Sequence, residues 1–175
     1  LKMNMSLIEQ SCSQGDLFVG QFCDLGKQIS YGLNVRKSFW HPLRFSLQYE
    51  DHSTDNRISL RVANFNFVVI PTIVVEQIGF FKPYFVHKGA DFEFSLRAVN
   101  AGFKFIGSKG FIGVCDRNEA TGSSRENGIS LLERWRRLTS IKEERISMRY
   151  KYYSEYAGFF WPLLFIAPYI TLPIK

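Results

Sequence analysis

Cysteine is scarce in this chain, and its placement excludes a disulfide framework. Cys12, Cys23 and Cys115 are the only cysteines, and no two of them form a Cys-x-x-Cys pair. Domains that depend on disulfides or structural zinc carry paired or clustered cysteines. We therefore expect reduced thiols in a cytosolic setting. The first residues also lack a basic stretch followed by an apolar one, which argues against a signal peptide.

The short motifs of several common enzyme classes are missing as well. The chain has no GxxxxGK phosphate loop, no GxGxxG dinucleotide turn, no HExxH zinc helix and no GxSxG nucleophile turn. Acidic residues are in deficit, because sixteen Asp and Glu face twenty-two Lys and Arg, for a net charge of +6. A basic balance favours an anionic partner such as nucleic acid, anionic lipid or a phosphorylated substrate.

Apolar and aromatic residues, by contrast, are abundant. Hydrophobic residues make up 46% of the 175 residues, and seventeen of them are Phe. This composition excludes a disordered chain, and the length is sufficient for one domain with a buried core. Strand-like apolar runs alternate with helical patterns along most of the chain, which predicts an α/β layered domain.

The local pattern predicts where helices and strands lie. We expect a helix over residues 1–14, a helix between Pro71 and Gly79, and a helix that begins near Asp91 and ends at Gly102. Residues 32–53 show little periodicity and predict a long surface excursion, and residues 116–128 predict a loop. Strands are predicted at 17–22, 29–31, 58–62, 65–70 as a central strand, 103–106 and 111–115.

The last part of the chain changes character. Residues 129–156 carry apolar side chains at helical spacing and seven basic residues against four acidic ones. Residues 157–174 contain no charged residue, but Pro162, Pro168 and Pro173 would interrupt a straight spanning helix. A basic amphipathic helix followed by a broken apolar segment is typical of a segment lying in a membrane interface. Packing against the domain's own core or a partner subunit is the alternative.

Three residues whose side chains can bind metals or exchange protons lie close together in the sequence: His87, Asp91 and Glu93. A metal site would need them to converge, but residues two apart near a helix start point in different directions. A general base needs only one carboxylate, and Asp91 stands at the loop-to-helix junction. The alternative interpretation is that Asp91 is an ordinary helix cap. Glu93 is predicted to bond to loop backbone or to Arg97, and His87 to bind a phosphate, a sugar hydroxyl or the loop's own backbone.

Two pairs of polar residues stand at the ends of predicted strands. Asn64 and Asn66 frame Phe65 at a strand entrance, where side-chain amides form turns or bind hydroxyls. Arg117 and Asn118 follow a strand end, where α/β sheets place ligands.

An ordered set of motifs resembles the inverting family 2 glycosyltransferases, in a branch that builds bacterial surface polysaccharide. The segment from Phe85 to Gly102 resembles the acceptor-side motif Gly-Asp-x-Asp-Tyr-Gly-Leu-Arg-Ala. Residues 64–71 resemble the Asn-Gly-Asn strand that runs to Ile-Pro, and 75–81 resemble the helix end that follows. Residues 113–118, Gly122 and the Trp-Pro-Leu and Pro-Tyr pieces within 161–169 are similar to that branch. The resemblance spans about residues 10–172. Departures are Phe65 for Gly, Ala90 for Gly or Glu, Glu93 for Asp, Phe94 for Tyr and Ser95 for Gly.

The resemblance implies a partial GT-A-like mixed sheet flanked by helices, with a C-terminal basic helix and an apolar tail. Residues 1–128 would form the acceptor-side half of a GT-A-like domain, and 129–175 a membrane-interface or packing tail. Asp91 would be the catalytic base that takes the proton of an acceptor hydroxyl as its oxygen attacks the anomeric carbon of the sugar. Residues expected to contact substrate are Asn64, Asn66, His87, Glu93, Arg97, Arg117 and Asn118.

The family's first half, which carries the nucleotide pocket and an Asp-x-Asp metal motif, has no counterpart in this sequence. We therefore expect that the divalent metal of the family, Mg²⁺ or Mn²⁺, has no ligands in this chain. We also expect the chain to be a C-terminal fragment of a larger transferase and to transfer no sugar alone; a second chain that supplies the donor half, or a truncated gene, is the alternative.

The expected partners are a nucleotide-sugar donor, a lipid-linked or glycan acceptor, and the inner face of the cell membrane through residues 129–175. No nucleic acid is expected. The alternative function is a non-catalytic basic module that binds polyanions or nucleic acid. The bases concentrate beside the apolar tail and do not interleave with aromatic residues in strands, which favours the transferase.

Overall fold

The structure is a computed structural model that describes residues 2–50, 60–85, 89–118, 121–140, 143 and 145–171. In that part of the chain it has six helices and seven strands in two sheets, so the predicted mixed α/β class is confirmed. The chain forms two compact units. The sheet unit comprises Leu1–Lys37, Phe45–Phe81 and Asp91–Arg117, and the helical unit comprises Ser38–Arg44, Lys82–Ala90 and Asn118–Lys175.

The sheet unit begins with helix α1 (Lys2–Ser13) and strand β1 (Leu17–Cys23), both as predicted. Gly15 separates them with a φ of +77°, a backbone conformation that glycine adopts without steric cost. Its N–H donates to Cys12 O at 3.1 Å. β1 then runs through the core with six of its seven residues buried.

β1 is the centre of the first sheet. Strand β2 (Ile29–Tyr31) and strand β6 (Val68–Val69) pair antiparallel with it, and strand β7 (Phe105–Val114) pairs parallel with it. The prediction of a central strand over 65–70 is therefore wrong, since only two of those residues form strand. The preceding residues form a turn instead, and the ring of Phe65 packs among core aromatic residues rather than extending the ladder.

β7 is one strand where two were predicted. Its register against β1 jumps from Val19↔Gly107 to Gln21↔Phe111, so the residues between Gly107 and Phe111 bulge out of the ladder. The Ser108 hydroxyl stabilises the bulge, because it accepts the Gln21 N–H at 2.9 Å and donates to Gly110 O at 2.8 Å. The turn residues at 108–110 thus mark a bulge inside a strand.

A second, antiparallel sheet has the order β4-β3-β5. Its strands are β3 (Leu33–Arg36), β4 (Phe45–Leu47) and β5 (Arg61–Ala63). The prediction of an irregular excursion over 32–53 is therefore wrong for β3 and β4, whose three or four residues are too short to show periodicity. The predicted strand at 58–62 begins at Arg61 in the described part of the chain, and residues 51–59 lie outside it.

A buried polar network joins the two sheets within this unit. The Gln21 amide donates to Glu50 O at 2.9 Å and to Ser108 O at 2.6 Å. The Glu50 carboxylate accepts from Arg61 Nη1 at 2.7 Å and from the Gly107 N–H at 2.7 Å. Because each of these polar groups has a partner, the network costs little desolvation and fixes Glu50 against both sheets.

Helices α2 (Thr72–Ile78) and α3 (Ala90–Asn100) complete the sheet unit. Pro71, which the sequence predicts in the first turn of α2, is its N-cap instead, so the helix begins one residue later, at Thr72. Gly79 ends the helix as predicted. Gly102 closes α3 with a φ of +96°. The core between helices and sheets contains Leu17, Val19, Leu33, Val74, Phe94, Ala98 and Phe105.

The helical unit contains α4 (Leu131–Leu138), α5 (Ile146–Tyr156) and α6 (Trp161–Thr171). The Ser130 hydroxyl caps α4 by accepting the Glu133 N–H at 3.2 Å. The sequence predicts that prolines break the apolar segment, but Pro168 does not interrupt α6, which continues past it to Thr171. None of the helices in the described residues has the length and apolar composition needed to cross a membrane.

Candidate active site

Asp91 lies in the first turn of α3, as the sequence predicts, and α3 is fastened to the second sheet. The Ser95 hydroxyl, one helical turn after Asp91, donates to Asp91 O at 2.7 Å and accepts the Ala63 N–H of β5 at 3.1 Å. Ser95 is fully buried. This hydroxyl therefore sets the position of the helix start relative to β5.

Four groups stabilise the charged Asp91 carboxylate through hydrogen bonds. The Phe92 N–H donates to Oδ1 at 2.9 Å, and the other three donors are the Asn64 side-chain amide and the N–H groups of Phe65 and of Asp91 itself. Asn64 is oriented in turn by Asn34, whose amide donates to Asn64 Oδ1 at 2.8 Å. With its oxygen so engaged, the Asn64 amide nitrogen faces the carboxylate. The turn at 64–65 and the start of α3 thus form one polar site.

Burial raises the pKa of the Asp91 carboxyl above its ordinary value of 3.8. The desolvated carboxylate loses hydration, which favours the protonated form. The donors from Phe92, Asn64 and Phe65 oppose this effect because they stabilise the charged form, but burial is the larger cause. Asp91 is consequently a stronger proton acceptor than an exposed aspartate, while the donors hold its side chain in one orientation.

The site lies where β1 and β7 have their carboxyl ends. The Gly20 N–H of β1 donates to Phe67 O at 2.9 Å, which places the 64–67 turn beside that end of β1. The Asn66 amide approaches the Sγ of Cys115, just after β7, at 3.9 Å. Ligands in open α/β sheets bind outside the carboxyl ends of strands. Asn64 and Asn66 are therefore at the sheet edge where a ligand is expected.

Glu93 and Arg97 form an ion pair, as one of the sequence interpretations predicts. Glu93 is 0% exposed, and its Oε1 accepts from Arg97 Nε at 2.8 Å. The Arg97 guanidinium also donates to the carbonyls of Ile78 and Phe80, at the end of α2 and just beyond it. The pair ties α3 to α2. A substrate contact by Glu93 would require its buried carboxylate to be uncovered.

The remaining predicted residues are more scattered. Arg117 is exposed, and its guanidinium donates to Ile29 O of β2 at 2.9 Å. Asn118 is exposed and belongs to the helical unit. His87 lies outside the described residues. Their contacts with substrate stay predictions.

Two residues of the site were not predicted from the sequence. Ser95 stands four positions after Asp91, so helical spacing alone places its hydroxyl near the Asp91 carbonyl. Asn34 lies on a short strand within an apparently irregular stretch, and no local pattern connects it to Asn64. Only the pairing of β3 with β5 brings the two amides together.

No metal site emerges from the described part of the chain, where no group of three or more His, Cys, Asp or Glu side chains could hold an ion. The Mg²⁺ or Mn²⁺ that the resemblance implies therefore finds no fitting ligand set among these residues.

Comparison of the chain with protein-family models, with curated proteins and with solved structures found no match in any of the three.

Proposed function

We propose that this chain is the acceptor side of an inverting glycosyltransferase with a GT-A-like fold. The observation that carries the proposal is Asp91, a partly buried carboxyl with a raised pKa, held by amide donors at the carboxyl ends of β1 and β7. A structural cap needs no raised pKa, whereas a base for a hydroxyl benefits from one.

The proposed reaction is a single displacement at the anomeric carbon of the donor sugar. An acceptor hydroxyl oxygen attacks the anomeric carbon of a nucleotide-sugar, the bond from that carbon to the diphosphate oxygen breaks, and the nucleoside diphosphate leaves with the electron pair. The hydroxyl proton passes to the Asp91 carboxylate. Inversion follows because the attack and the departure occur on opposite faces of the sugar.

Asn64 and the Phe65 N–H would keep the Asp91 carboxylate aimed while it is charged, since they donate to its oxygens. Asn66, at the same sheet edge, would contact an acceptor hydroxyl. The resemblance adds His87, Arg117 and Asn118 as further substrate contacts. The donor would be held by sequence other than these residues, because the family's donor motifs have no counterpart among them.

The helical unit supports a proposed peripheral contact with the inner face of a bacterial cell membrane, where a lipid-linked acceptor would be presented. Large apolar side chains are exposed at Leu132 of α4, at Phe159 just before α6 and at Leu163 of α6. Arg134 and Arg136 accompany them on α4. Apolar side chains beside bases are the composition of interfacial helices.

The test is sugar transfer by the full-length gene product, supplied with a panel of radiolabelled UDP-, GDP- and dTDP-sugars and a bacterial lipid extract as acceptor. Asp91→Asn is expected to lower turnover by about 10²–10⁴-fold, the usual contribution of a general base, while nucleotide-sugar binding is retained. Asp116→Asn is the matched control, since the exposed Asp116 carboxylate also accepts a backbone N–H, from Leu25 at 3.1 Å.

Turnover of Asp91→Asn equal to that of the control would show that Asp91 is a structural cap. Absence of transfer from every donor, together with binding to heparin or oligonucleotides, would replace the proposal with a polyanion-binding module.

A further inference from the structure

The loop Ser38–Arg44, here called the aromatic loop, exposes two aromatic side chains at its tip. Phe39 is 85% and Trp40 75% exposed. Their ring centroids lie 5.8 Å apart in an edge-to-face contact. Two adjacent aromatic rings in water expose a large apolar area at a cost, so such a pair marks a contact surface.

Hydrogen bonds within the aromatic loop order its backbone. The Ser38 hydroxyl accepts the His41 N–H at 3.3 Å, and the Arg44 N–H donates to His41 O at 2.9 Å. The tip is therefore presented by a defined turn, which reduces the entropy lost when it engages a partner.

His41 fastens the aromatic loop to α5 of the same unit. Its ring lies 6.4 Å from the Tyr153 ring in an edge-to-face contact. Burial lowers the His41 pKa, and Arg44 and Arg149 lower it further, so the ring is neutral near pH 7. The residue next to Trp40 is thus an anchor inside the unit, while Trp40 itself points to solvent.

The loop and its sequence neighbours are basic. Arg36, Lys37 and Arg44 are exposed, and no Asp or Glu occurs from residue 33 to residue 49. Aromatic side chains flanked by bases are complementary to the interface of an anionic bilayer, where Trp and Phe lie at headgroup depth and each base contributes electrostatic attraction. Single-stranded nucleic acid would instead need open ring faces along a groove, and these two rings contact each other at a protruding tip.

We propose that the aromatic loop inserts Phe39 and Trp40 into the interface of an anionic membrane, as a second anchor besides α6. The proposal rests on the membrane contact proposed above for α4 and α6 and extends it to a segment distant in sequence. α5 supports both anchors, since it contacts the loop through Tyr153 and α6 through Tyr150, whose ring lies 5.2 Å from that of Trp161.

The first experiment measures partition of the full-length gene product onto phosphatidylglycerol-containing vesicles by flotation. Trp40→Ser is expected to weaken partition about tenfold, the effect of removing one large apolar side chain from an apolar contact. Arg44→Gln is expected to weaken it about fivefold, since one base near an anionic surface contributes about 1 kcal/mol. The Arg44→Gln effect should vanish on pure phosphatidylcholine vesicles, which lack an anionic surface, whereas the Trp40→Ser effect should remain because it comes from an apolar contact.

Leu25→Ser is the matched control. Leu25 is 82% exposed at a turn of the sheet unit, beside Asp24 and without an aromatic neighbour. It should partition like the unaltered protein. Asp91→Asn should do the same, so failure of the loop anchor is distinguishable from failure of the proposed catalysis.

The second experiment keeps the loop intact and does not depend on the loop variants folding. Trp135→Phe with Trp161→Phe, together with Phe at any tryptophan of the gene product outside these 175 residues, leaves Trp40 as the single tryptophan. Its fluorescence should shift to the blue on vesicle binding and be quenched by brominated phosphatidylglycerol. Vesicle binding with Trp40 unquenched would assign the contact to α4 and α6 alone and overturn the proposal. Binding of heparin or oligonucleotides without binding of vesicles would overturn it too.

Discussion

The ion pair between Glu93 and Arg97 has a counterpart on another helix, so the effect of burial can be measured directly. Glu133 and Arg137 on α4 have the same four-residue spacing and the same Nε–Oε1 distance of 2.8 Å. The exposed fractions differ: 1% and 14% for the Glu93 and Arg97 side chains, against 39% and 24% for Glu133 and Arg137. Arg97→Met should therefore be far more destabilising than Arg137→Met.

The magnitude follows from what Arg97→Met leaves behind. The Glu93 carboxylate stays buried without the guanidinium, and the carbonyls of Ile78 and Phe80 lose a donor. Removing one partner of a buried pair costs about 3–5 kcal/mol of the free energy of unfolding. Arg137→Met removes contacts with both Glu133 and Glu126, but both carboxylates are solvated, so water replaces the lost contacts and the loss should resemble that of an ordinary surface substitution.

The assay must report each unit separately. Trp40, Trp135 and Trp161 all belong to the helical unit, so tryptophan fluorescence during urea unfolding follows that unit. Hydrogen exchange of the β1 amides, measured by mass spectrometry of peptides covering Leu17–Cys23, follows the sheet unit. Arg97→Met should speed exchange of the β1 amides, whereas Arg137→Met should leave it unchanged.

A second substitution tests whether the buried charge is the cause. Glu93→Gln added to Arg97→Met removes that charge and should recover a large part of the lost stability. The role assigned to burial would be refuted if Arg97→Met were no more destabilising than Arg137→Met, or if Glu93→Gln recovered no stability. Burial would then not determine how much the Glu93–Arg97 pair contributes to the free energy of unfolding.

Two further predictions concern Asp91. Asn64→Ala removes a donor that lowers the Asp91 pKa, so the acid limb of kcat/KM in the full-length gene product should move to higher pH; Asn66→Ala, whose amide faces Cys115, should not move it. Because burial raises the Asp91 pKa in the fold, Asp91 contributes stability that is complete below its ordinary pKa of 3.8 and is lost as pH rises through the raised value. The urea midpoint of the unaltered chain should consequently fall relative to that of Asp91→Asn across this range, and a constant difference would contradict the cause assigned to the shift.

The sequence pattern predicted those helices and strands whose formation depends on neighbouring residues in the chain. α1, β1, α2 and α3 are framed by turn glycines or a proline and carry several periodic residues, and all four form close to where they were expected. β3 and β4 have three or four residues each and exist because β3 pairs with β4 on one side and with β5 on the other. The joining of 103–106 and 111–115 into β7 likewise depends on β1, to which Ser108 bonds.

The candidate site likewise has features that follow from the local sequence and features that depend on contacts between distant segments. The position of Asp91 at a helix start and the Glu93–Arg97 pair follow from helical spacing, which the sequence displays. The donors from Asn64 and Phe65, and the support of Asn64 by Asn34, come from strands distant in sequence. Their convergence depends on strand pairing, and the burial that raises the Asp91 pKa depends on packing between distant segments, so neither could be foreseen from the residues around Asp91.

The hydrogen bonds of the Glu50 carboxylate bear on where the chain can accept inserted residues, in engineering and in evolution. It accepts from Arg61 at 2.7 Å, so the residues on either side of the stretch 51–60 are joined to each other. The ion pair thus holds the two ends of the stretch together, and the entropic cost of closing a chain segment grows only with the logarithm of its length. Insertions between Glu50 and Arg61 should leave β5, and with it Ala63 and the start of α3, in place. An affinity tag or a fluorophore inserted there would report on the sheet unit without displacing Asp91.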